Sequence, residues 1–501
     1  MNLTELKKLK SGTDVRGVAV GKNITLTDEA VTAITKAFCV WLTKKYKLDE
    51  LKIAVGNDSR VSAGHISKIV NTALISSGAD VIYTGLSSTP SMFILLKESG
   101  WGCNASVMIT ASHLPYDRNG LKFFTPEGGL SGNDIDEILY LASLNVPIVG
   151  AGRYFERCFM DEYSRILVKK VEHVCGFQPL KGKKIIVDAG NGAGGFFAAQ
   201  VLTPLGADTS GSLYLEPDGT FPNHIPNPED KAAIDCLSRA VVSENADLGI
   251  IFDTDVDRAA CVDRGGAEIN RNSLIALLAA ILLPGKGGVI VTDSVTSAHL
   301  TEFITNLGGT HLRYKRGYKN VIDKCRSLNE NGVYSPLAIE TSGHAAFPEN
   351  YYLDDGAYLI TKILICLAGQ EEGKSLSDLI SDLKRPVEEG EIRIGFTQDS
   401  LDFKAEGNRM IEDLKAVVSA SKDMQSSSIN YEGIMFKYGN SNILVRQSVH
   451  DPVIPINIES DVSGGAKAAA EKLLSLLEGY NFLDLTNLKE YIKNLGETLC
   501  Q

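Results

Sequence analysis

Short apolar runs alternate with amphipathic stretches through the first 280 residues of the chain. After Thr27, apolar residues recur at spacings of three and four: Val31, Ile34, Phe38 and Leu42. That period predicts a helix with one buried face, and Thr27 has the side chain of an N-cap. The runs at 51–59 and 81–85 are strand-like, and a second helical stretch at 63–77 lies between them. This alternation of strands and helices predicts an α/β fold.

Three apolar runs that each enter a small polar turn are similar to one another. They begin at Ile53, Ile185 and Val289, so they lie 132 and 104 residues apart, which is a domain-sized spacing. The similarity favours three copies of one α/β unit. Short strands of this class also resemble one another by chance, so the repeat alone does not decide the matter.

The pattern of elements changes near Arg385 and Pro386. Beyond this point we predict strands and helices in a mixed order: strands at 389–396, 428–431 and 454–458, and helices at 401–420 and 464–477. The polar segment 419–428 is expected to be an exposed loop. These features predict a smaller α+β domain at the C-terminus.

The overall charge narrows the choice of partners. Acidic residues outnumber basic ones by 62 to 50, which gives a formal net charge of −12, and the length of 501 residues suggests three or four domains. Nucleic acid and anionic membranes are excluded as main partners, because both require a basic face. A small anionic substrate is compatible with this charge if positive side chains are gathered locally.

The chain has the composition of a cytoplasmic protein. Its longest apolar run, Leu274–Leu283, has ten residues, whereas a membrane span needs about twenty. The nine cysteines are scattered without a CxxC pair, which indicates reduced thiols and neither a disulfide framework nor a zinc site. Because the first 17 residues contain no apolar core, we expect no secretory signal.

The segment from Thr110 to Lys122 follows a strand-like run and is rich in reactive side chains. A hydroxyl displayed at the end of a strand is suited to act as a nucleophile, and Ser112 occupies such a position. His113 or Lys122 could move its proton. The alternative interpretation is an Asn-Gly turn with a capping serine.

Asp253, Asp255 and Asp257 follow the strand-like run 248–251. Three carboxylates in five residues repel one another unless a cation compensates them, and clustered oxygen ligands suit Mg²⁺ or Ca²⁺. An EF-hand is excluded, because the sixth and twelfth positions counted from Asp253 are arginines instead of glycine and glutamate. A phosphatase with an aspartate nucleophile near its N-terminus fits poorly, because this motif lies mid-chain. A solvated acidic turn remains the alternative.

Two further polar loops lie among the strand-like runs of the C-terminal half. Glu340 and Ser342 stand on a glycine-containing loop and could hydrogen-bond adjacent sugar hydroxyls. Arg446 and Ser448, with the backbone amides of their turn, could bind a phosphate dianion. Taken alone, each segment is more typical of an ordinary surface loop.

In chain order, the four segments supply a nucleophile, a metal loop, a sugar loop and a phosphate loop. With them the chain resembles the α-D-phosphohexomutase family, which includes phosphoglucomutases, phosphomannomutases and phosphoglucosamine mutases. The resemblance covers nearly the whole length and includes five further motifs: Thr13–Gly17, Gly56–Arg60, Asp188–Gly192, Pro217–Glu229 and Lys315–Lys319.

The resemblance implies an α/β protein of four domains around a central cleft, with three similar mixed α/β domains and a smaller C-terminal α+β domain. The internal similarity and the change near residue 385 agree with this organisation. On this basis we divide the chain into 1–165 with the serine loop, 166–272 with the metal loop, 273–384 with the sugar loop and 385–501 with the phosphate loop.

The resemblance also implies an activity and its catalytic residues. A family member of the glucose or mannose type interconverts hexose 1-phosphate and hexose 6-phosphate through a phosphoserine and a hexose 1,6-bisphosphate, which also serves as activator. The residues that match the family's catalytic and metal positions are Ser112, His113, Lys122, Arg16, Asp253, Asp255 and Asp257. Ser112 would carry the phosphoryl group and, with the three aspartates, hold one Mg²⁺. Lys122 and His113 would transfer protons, and Arg16 would add positive charge.

A second set of residues is implied for substrate binding: Arg258, Lys319, Glu340, Ser342, His344, Arg446, Ser448 and His450. Arg258 would add positive charge at the transferred phosphoryl group. Glu340 and Ser342 would bind the sugar hydroxyls, and the Arg446 loop would hold the phosphate that is not transferred. The protein is expected to be a monomer or a homodimer.

Several positions depart from the family pattern. Leu114 stands where asparagine is usual, bulkier residues separate the three aspartates, Thr341 fits no common subgroup, and 449–451 read Val-His-Asp. Glucose and mannose phosphates are favoured because nothing indicates an amino-sugar pocket. A phosphoglucosamine mutase and a glucose 1,6-bisphosphate synthase remain alternatives on the same site. A non-catalytic sugar-phosphate sensor is the alternative of another class, although an intact Ser112 argues against it.

Overall fold

The computed structural model describes residues 2–371, 373–397, 400, 402–427, 430–448 and 451–498. The chain folds into two compact units, which we call the first unit and the second unit. The first unit comprises Met1–Ile281 and Ser342–Leu379, and the second comprises Leu282–Thr341 and Ile380–Gln501.

An eight-stranded mixed sheet forms the N-terminal part of the first unit. Its strands are β1 (Lys10–Ser11), β2 (Asp14–Val18), β3 (Lys52–Asn57), β4 (Asp80–Leu86), β5 (Ala105–Ile109), β6 (Arg118–Thr125), β7 (Gly128–Gly129) and β8 (Tyr154–Glu156). Its helices are α1 (Leu3–Lys7), α2 (Asp28–Tyr46), α3 (Ala63–Ser76), α4 (Thr89–Glu98) and α5 (Gly132–Ser143). The order is β1-β2-β6-β5-β3-β4-β8, with β7 beside β6. Because β5 and β6 are antiparallel neighbours, the loop that joins them lies at one end of these two strands.

The helix predicted after Thr27 supplies much of this domain's core. Thr27 caps it by accepting a hydrogen bond from the Ala30 backbone N–H, and acidic residues occupy its first turn, as expected at the positive end of a helix. Phe38 on its apolar face packs against Phe123 of β6, with ring centroids 4.5 Å apart. This packing anchors the strand that also carries Lys122.

A four-stranded sheet follows in the first unit, in the order β12-β11-β10-β9. Its elements are α6 (Met160–Cys175), β9 (Ile185–Asp188), α7 (Lys231–Ser243), β10 (Leu248–Phe252), β11 (Ala259–Asp263), β12 (Glu268–Ile269) and α8 (Arg271–Leu282). Strand β10 lies parallel to β9 and antiparallel to β11, and all five of its residues are buried. Leu237 of α7 packs with Ile251 of β10, which fixes the strand that leads into the aspartate loop.

The elements that follow are divided between the two units. The second unit contains β13 (Gly288–Thr292), α9 (Ala298–Asn306), β14 (Gly309–Arg313), α10 (Tyr318–Glu330) and β15 (Leu337–Ile339). Strand β13 pairs in parallel with β14 and β15. The first unit contains β16 (Ala345–Phe347), β17 (Leu353–Asp354) and α11 (Gly356–Ala368), and β16 and β17 are antiparallel.

The C-terminal part of the second unit is an antiparallel sheet of six strands in the order β19-β20-β21-β22-β18-β23. Its elements are β18 (Glu388–Phe396), α12 (Phe403–Ala420), β19 (Met424–Ser426), β20 (Ile434–Tyr438), β21 (Ser441–Val445), β22 (Val453–Ser460), α13 (Gly465–Leu477), β23 (Leu483–Asp484) and α14 (Thr486–Thr498). Leu414 of α12 and Leu473 of α13 are buried with Ile456 of β22 in one core.

The predicted fold class is confirmed: three α/β domains are followed by a C-terminal domain of sheet and helices. Two local predictions for the C-terminal domain are wrong. Residues 424–426 of the expected loop form β19, because their backbone pairs with that of β20 although the run is short and polar. Asn430 and Tyr431 of the expected strand 428–431 lie between strands, and residues 428–429 fall outside the described part. No helix among the described residues is long and apolar enough to cross a membrane.

Candidate active site

Ser112 lies in the loop between β5 and β6, and its side chain faces charged groups of the first unit. Its Oγ is 3.2 Å from Asp253 Oδ2, 3.3 Å from His113 Nδ1 and 3.3 Å from Arg258 Nη2. The residue is 3% exposed and has a φ of +52°, a left-handed conformation that is uncommon for residues other than glycine. A hydroxyl held between a carboxylate, an imidazole and a guanidinium is placed to accept and release a phosphoryl group.

The three aspartates of the loop after β10 lie close together. One carboxylate oxygen from each of Asp253, Asp255 and Asp257 lies within 4.8 Å of the others, and all three residues are fully buried. Thr89 at the start of α4 donates its hydroxyl to Asp255 Oδ2 at 2.5 Å. The loop is therefore supported by the neighbouring domain as well as by its own strand.

The aspartate cluster fits a divalent cation. Among the described residues, no donor forms a hydrogen bond to Oδ1 of Asp255 or Oδ1 of Asp257, although both are buried carboxylate oxygens with lone pairs to satisfy. Buried carboxylate oxygens without donors, close to two further carboxylates, form the donor set that a hard cation prefers. The residues that could hold the ion are Asp253, Asp255 and Asp257, with Ser112 Oγ beside them.

Positive side chains surround the cluster. Lys122 Nζ is 2.6 Å from Asp257 Oδ2 and 3.7 Å from Asp255 Oδ2. Arg258 binds Asp253 Oδ2 through both Nε and Nη2 at 3.1 Å. Burial alone would raise the pKa of Asp257, but Lys122 and the neighbouring cations outweigh it and hold that pKa below its usual range. The carboxylate of Asp257 therefore stays ionised.

Two histidines near the cluster are neutral at neutral pH. Burial, followed by the charges of Arg258 and Arg16, lowers the pKa of His113 to about 3. Burial also lowers the pKa of His344 to about 3, although the charge of Asp257 opposes the shift. A neutral imidazole accepts protons, so both rings have the chemistry of a base.

The remaining predicted residues of the first unit are found at two places. Arg16 on β2 binds Asp14 Oδ2 through Nη2 at 2.8 Å, and its Nε is buried without a hydrogen bond. Ser342 Oγ lies 2.8 Å from His344 Nδ1, whose other nitrogen is 3.7 Å from Asp257 Oδ1. Ser342 and His344 therefore belong to the same group as the aspartates.

In the second unit, the sugar loop is held by backbone and carboxylate contacts. Glu340 Oε1 accepts a hydrogen bond of 2.6 Å from the Gly317 backbone N–H. The Thr341 hydroxyl donates to Asp293 Oδ2 at 2.9 Å. Lys319, which the family resemblance implies for substrate binding, forms an ion pair with Asp323 one turn along α10 at 3.4 Å.

The phosphate loop is only partly described. Arg446 is 5% exposed, and its Nε has no hydrogen-bond partner among the residues that the structure describes. Burial, followed by the charge of Arg316, lowers its pKa from the usual value. Ser448 Oγ accepts a hydrogen bond of 3.2 Å from the Asp451 backbone N–H, and His450 lies outside the described residues.

The structure adds residues that the sequence analysis did not select. Asn227 Oδ1 accepts a hydrogen bond of 3.2 Å from Arg258 Nη1, and Glu229 Oε2 lies 3.8 Å from the same nitrogen. Asp354 groups with Asp257 and His344 as a further set of possible metal ligands. The motif Pro217–Glu229 was noted as part of the resemblance, so a signal for two of these residues was present.

Three models of one family match the chain. They are described as phosphoglucomutase/phosphomannomutase, alpha/beta/alpha domains I, II and III, and they match residues 7–143, 161–266 and 270–386. The matches cover the serine loop, the aspartate loop and the sugar loop in that order.

Curated proteins and a solved structure match over almost the whole chain. A phosphoglucomutase of Neisseria meningitidis serogroup A is 28% identical over 93% of this chain and 95% of its own. A phosphomannomutase/phosphoglucomutase of Pseudomonas putida is 30% identical over 89% and 90%. The crystal structure of a phosphoglucomutase/phosphomannomutase family protein from Burkholderia thailandensis is 25% identical, with a TM-score of 0.78 over 96% of this chain and 98% of its own. The chain therefore belongs to the phosphoglucomutase/phosphomannomutase family, a family of phosphohexose mutases.

Proposed function

We propose that this protein interconverts hexose 1-phosphate and hexose 6-phosphate, with glucose or mannose as the sugar. The observation that carries the proposal is the setting of Ser112, whose Oγ lies within 3.3 Å of a carboxylate, an imidazole and a guanidinium. Relatives named phosphoglucomutase and phosphomannomutase/phosphoglucomutase support the choice of sugars.

The proposed reaction begins with a phosphoryl group on Ser112. The bond between Ser112 Oγ and phosphorus breaks while the free 6-hydroxyl of hexose 1-phosphate forms a new bond to the same phosphorus. The hydroxyl proton passes to a base, and the product is hexose 1,6-bisphosphate. After the bisphosphate turns around, Ser112 Oγ takes the phosphoryl group from the 1-position, and hexose 6-phosphate is released. Bisphosphate that binds from solution phosphorylates Ser112 again and so acts as an activator.

We assign proton transfer to His113 and Lys122. His113 is neutral at neutral pH, since burial and nearby arginines lower its pKa to about 3, so it can accept the hydroxyl proton. Lys122 is paired with Asp257 at 2.6 Å and can return a proton to the leaving oxygen. Arg258 contacts Ser112 Oγ, and with Arg16 it offsets the negative charge of the transferred group.

Mg²⁺ is the proposed metal, and Ser112, Asp253, Asp255 and Asp257 would hold it. When bound, the ion supplies positive charge to the phosphoryl oxygens. Support comes from the Oδ1 atoms of Asp255 and Asp257, which are buried and accept no hydrogen bond from a described residue.

The substrate-binding roles are proposed from the family resemblance. We assign the sugar hydroxyls to Glu340 and Ser342, and the phosphate that is not transferred to Arg446 and Ser448. The buried Nε of Arg446, which has no partner, supports an anion site there. Lys319, His344 and His450 are proposed to line the substrate site.

The domain boundaries after residues 165, 272 and 384 also stay proposals. The family models begin their second and third domains at residues 161 and 270. Helices α6 and α8 begin at Met160 and Arg271, so a helix begins close to each of the first two proposed boundaries. A cytoplasmic location and a monomeric or homodimeric state are proposed without further support.

Phosphorus NMR tests the proposed function. The protein is mixed with Mg²⁺, trace glucose 1,6-bisphosphate and glucose 1-phosphate, and parallel samples contain mannose and glucosamine phosphates. We expect the glucose or mannose 6-phosphate signal to grow until equilibrium. Preference for the glucosamine substrate would replace the proposal by the amino-sugar mutase. Accumulation of bisphosphate from a phosphoryl donor would replace it by the synthase, and no change with any sugar would replace it by the sensor.

A further inference from the structure

Arg60 is a buried arginine whose guanidinium is enclosed by the serine loop. It lies two residues beyond Asp58 in the turn after β3, and it is 2% exposed. Its side chain donates to four backbone carbonyls of this loop, which belong to Ser112, Leu114, Pro115 and Arg118. The loop therefore wraps around a cation instead of packing on an apolar core.

The hydrogen bonds of Arg60 use every donor that its side chain has. Nη1 donates to the Pro115 and Arg118 carbonyls at 2.6 and 3.0 Å. Nη2 donates to the Leu114 carbonyl at 2.6 Å and to the Ser112 carbonyl. Nε donates to Asp58 Oδ2 at 3.2 Å, which completes five N–H groups with five acceptors. A planar fork with five donors is a property of arginine alone, so lysine cannot reproduce this arrangement.

The hydrogen bond from Arg60 to the Ser112 carbonyl holds a residue with a strained backbone. Ser112 has a φ of +52°, and such a conformation persists only where its surroundings over-determine it. The loop fixes this residue from both sides, because the Ser112 backbone N–H donates to Thr110 Oγ1 at 2.9 Å and its carbonyl accepts from Arg60. The direction of Ser112 Oγ depends on this backbone conformation.

A second segment closes the arginine site from the other side. Gly219 bridges to the backbone of Arg60, and the ring centroid of Phe221 lies 5.3 Å from the guanidinium carbon. A β-carbon at Gly219 would lie 2.3 Å from the Val61 backbone nitrogen, so only glycine permits this approach. The ring and the bridge exclude water from the guanidinium, which strengthens its bonds to the loop carbonyls.

We propose that Arg60 is a positioning residue that holds the serine loop so that Ser112 Oγ faces Asp253 and Arg258. The inference rests on the proposed function, because it assigns Arg60 to the same transfer step. Arg60 acts through the loop backbone and does not touch the reacting atoms. Its loss therefore misplaces the nucleophile while leaving the substrate-binding residues in place.

Arg60→Lys tests the proposal, with Arg153→Lys as the matched control. Arg153 also binds a carboxylate, that of Asp80, but its side chain is 76% exposed. For Arg60→Lys we expect kcat to fall by about tenfold to a hundredfold, with KM within about twofold, since small misplacements of reacting groups have effects of this size. Hydrogen exchange at residues 111–118 should accelerate by about tenfold or more, because a lysine cannot make all of the arginine's hydrogen bonds to the loop carbonyls and the loop then opens more often. The control should match the native protein in each measurement.

The outcomes separate this proposal from the proposed function. A native kcat and native exchange in Arg60→Lys would overturn the role of Arg60, and so would a loss of kcat that only follows the unfolded fraction in a thermal melt. If Arg60→Lys does not fold, Asp58→Asn keeps the guanidinium but weakens its Nε contact, and it should show the same changes at a smaller size. No mutase turnover by the native protein would overturn the proposed function, while the exchange measurement would still decide whether Arg60 holds the loop.

Discussion

Val256 adopts a left-handed backbone conformation in the middle of the aspartate loop, with a φ of +67°. This conformation is rare for a β-branched residue and costs about 1–2 kcal/mol. Complete burial of the valine side chain contributes about 1.5–3 kcal/mol, which offsets the strain. Its carbonyl also accepts a hydrogen bond of 3.0 Å from the Gly356 backbone N–H. Valine at position 256, where small residues are usual in the family, is therefore compatible with a loop that brings three carboxylates together.

Asp255→Asn tests the metal role at the level of one residue. The substitution keeps the shape of the side chain but removes one of the charges that attract a divalent cation. We expect the affinity for Mn²⁺, measured by electron paramagnetic resonance, to fall by about tenfold or more. Turnover should fall as well, and excess Mg²⁺ should restore only part of it.

Asp28→Asn is the control for this experiment, because Asp28 has a 66% exposed side chain and lies outside the cluster. It should bind Mn²⁺ as the native protein does. Full turnover of the native protein in the presence of a chelator would contradict the metal role, as would native Mn²⁺ affinity in Asp255→Asn.

At the scale of elements, the segment Pro217–Glu229 connects three parts of the first unit. Phe221 covers Arg60, and Asn227 binds Arg258. His224 fixes the segment to the end of β9, since its Nε2 lies 3.0 Å from Asp188 Oδ2. The segment is therefore positioned to support both the serine loop and the arginine that contacts Ser112.

The His224 contact predicts a dependence of stability on pH. Burial alone would lower the pKa of His224, but the hydrogen bond and charge of Asp188, helped by the Ile225 carbonyl and by Asp230, raise it above the usual value. A raised pKa means that the folded state favours the charged ring, so its contribution is fully present below the unfolded pKa of about 6.5. The contribution is lost as the pH rises through the folded pKa.

His224→Gln should therefore lose stability against the native protein mainly at low pH. We expect a difference of about 1–2 kcal/mol near pH 6 that shrinks towards pH 9, measured by urea unfolding. His65→Gln is the control, because His65 pairs with Asp28 at an exposed site where ion pairs contribute little. A difference that is constant across this pH range would show that the ring contributes by packing and not by its charge.

Helices and strands with a clear pattern of apolar residues could be predicted from the sequence, and those without one could not. Helix α2 begins directly after Thr27, as predicted, and α3 covers 63–76 against a predicted 63–77, because the apolar periods of both are clear. Strand β19 escaped prediction because Met424–Ser426 is a short polar run without alternation. The role of Arg60 could not be predicted, since its partners are backbone carbonyls, which carry no residue-specific signal. The hydrogen bond from the Thr341 hydroxyl to Asp293 could not be predicted either, because the two residues lie 48 positions apart in the sequence.

On the scale of the whole molecule, a net charge of −12 coexists with buried cations near Ser112. Lys122 is 5% and Arg258 1% exposed, so their charges act on the site and contribute little to the outer surface. Composition could predict that positive charge must be local, but it could not say which side chains supply it. The family, in contrast, could be predicted from the order of the four loops along the chain.

The transfer of a labelled phosphoryl group from Ser112 tests the central claim most directly. The protein is labelled with ³²P-glucose 1,6-bisphosphate, separated from free sugar, and mixed with unlabelled glucose 1-phosphate and Mg²⁺ in a rapid-quench instrument. We expect peptide mapping to find the label on Ser112 before mixing, and the label to appear in hexose phosphate within one turnover. Ser112→Ala should take up no label, while Ser143→Ala, at a partly exposed site on α5, should behave as the native protein does. Glucose 6-phosphate that forms while the label stays on the protein, or a label carried by another residue, would contradict the account.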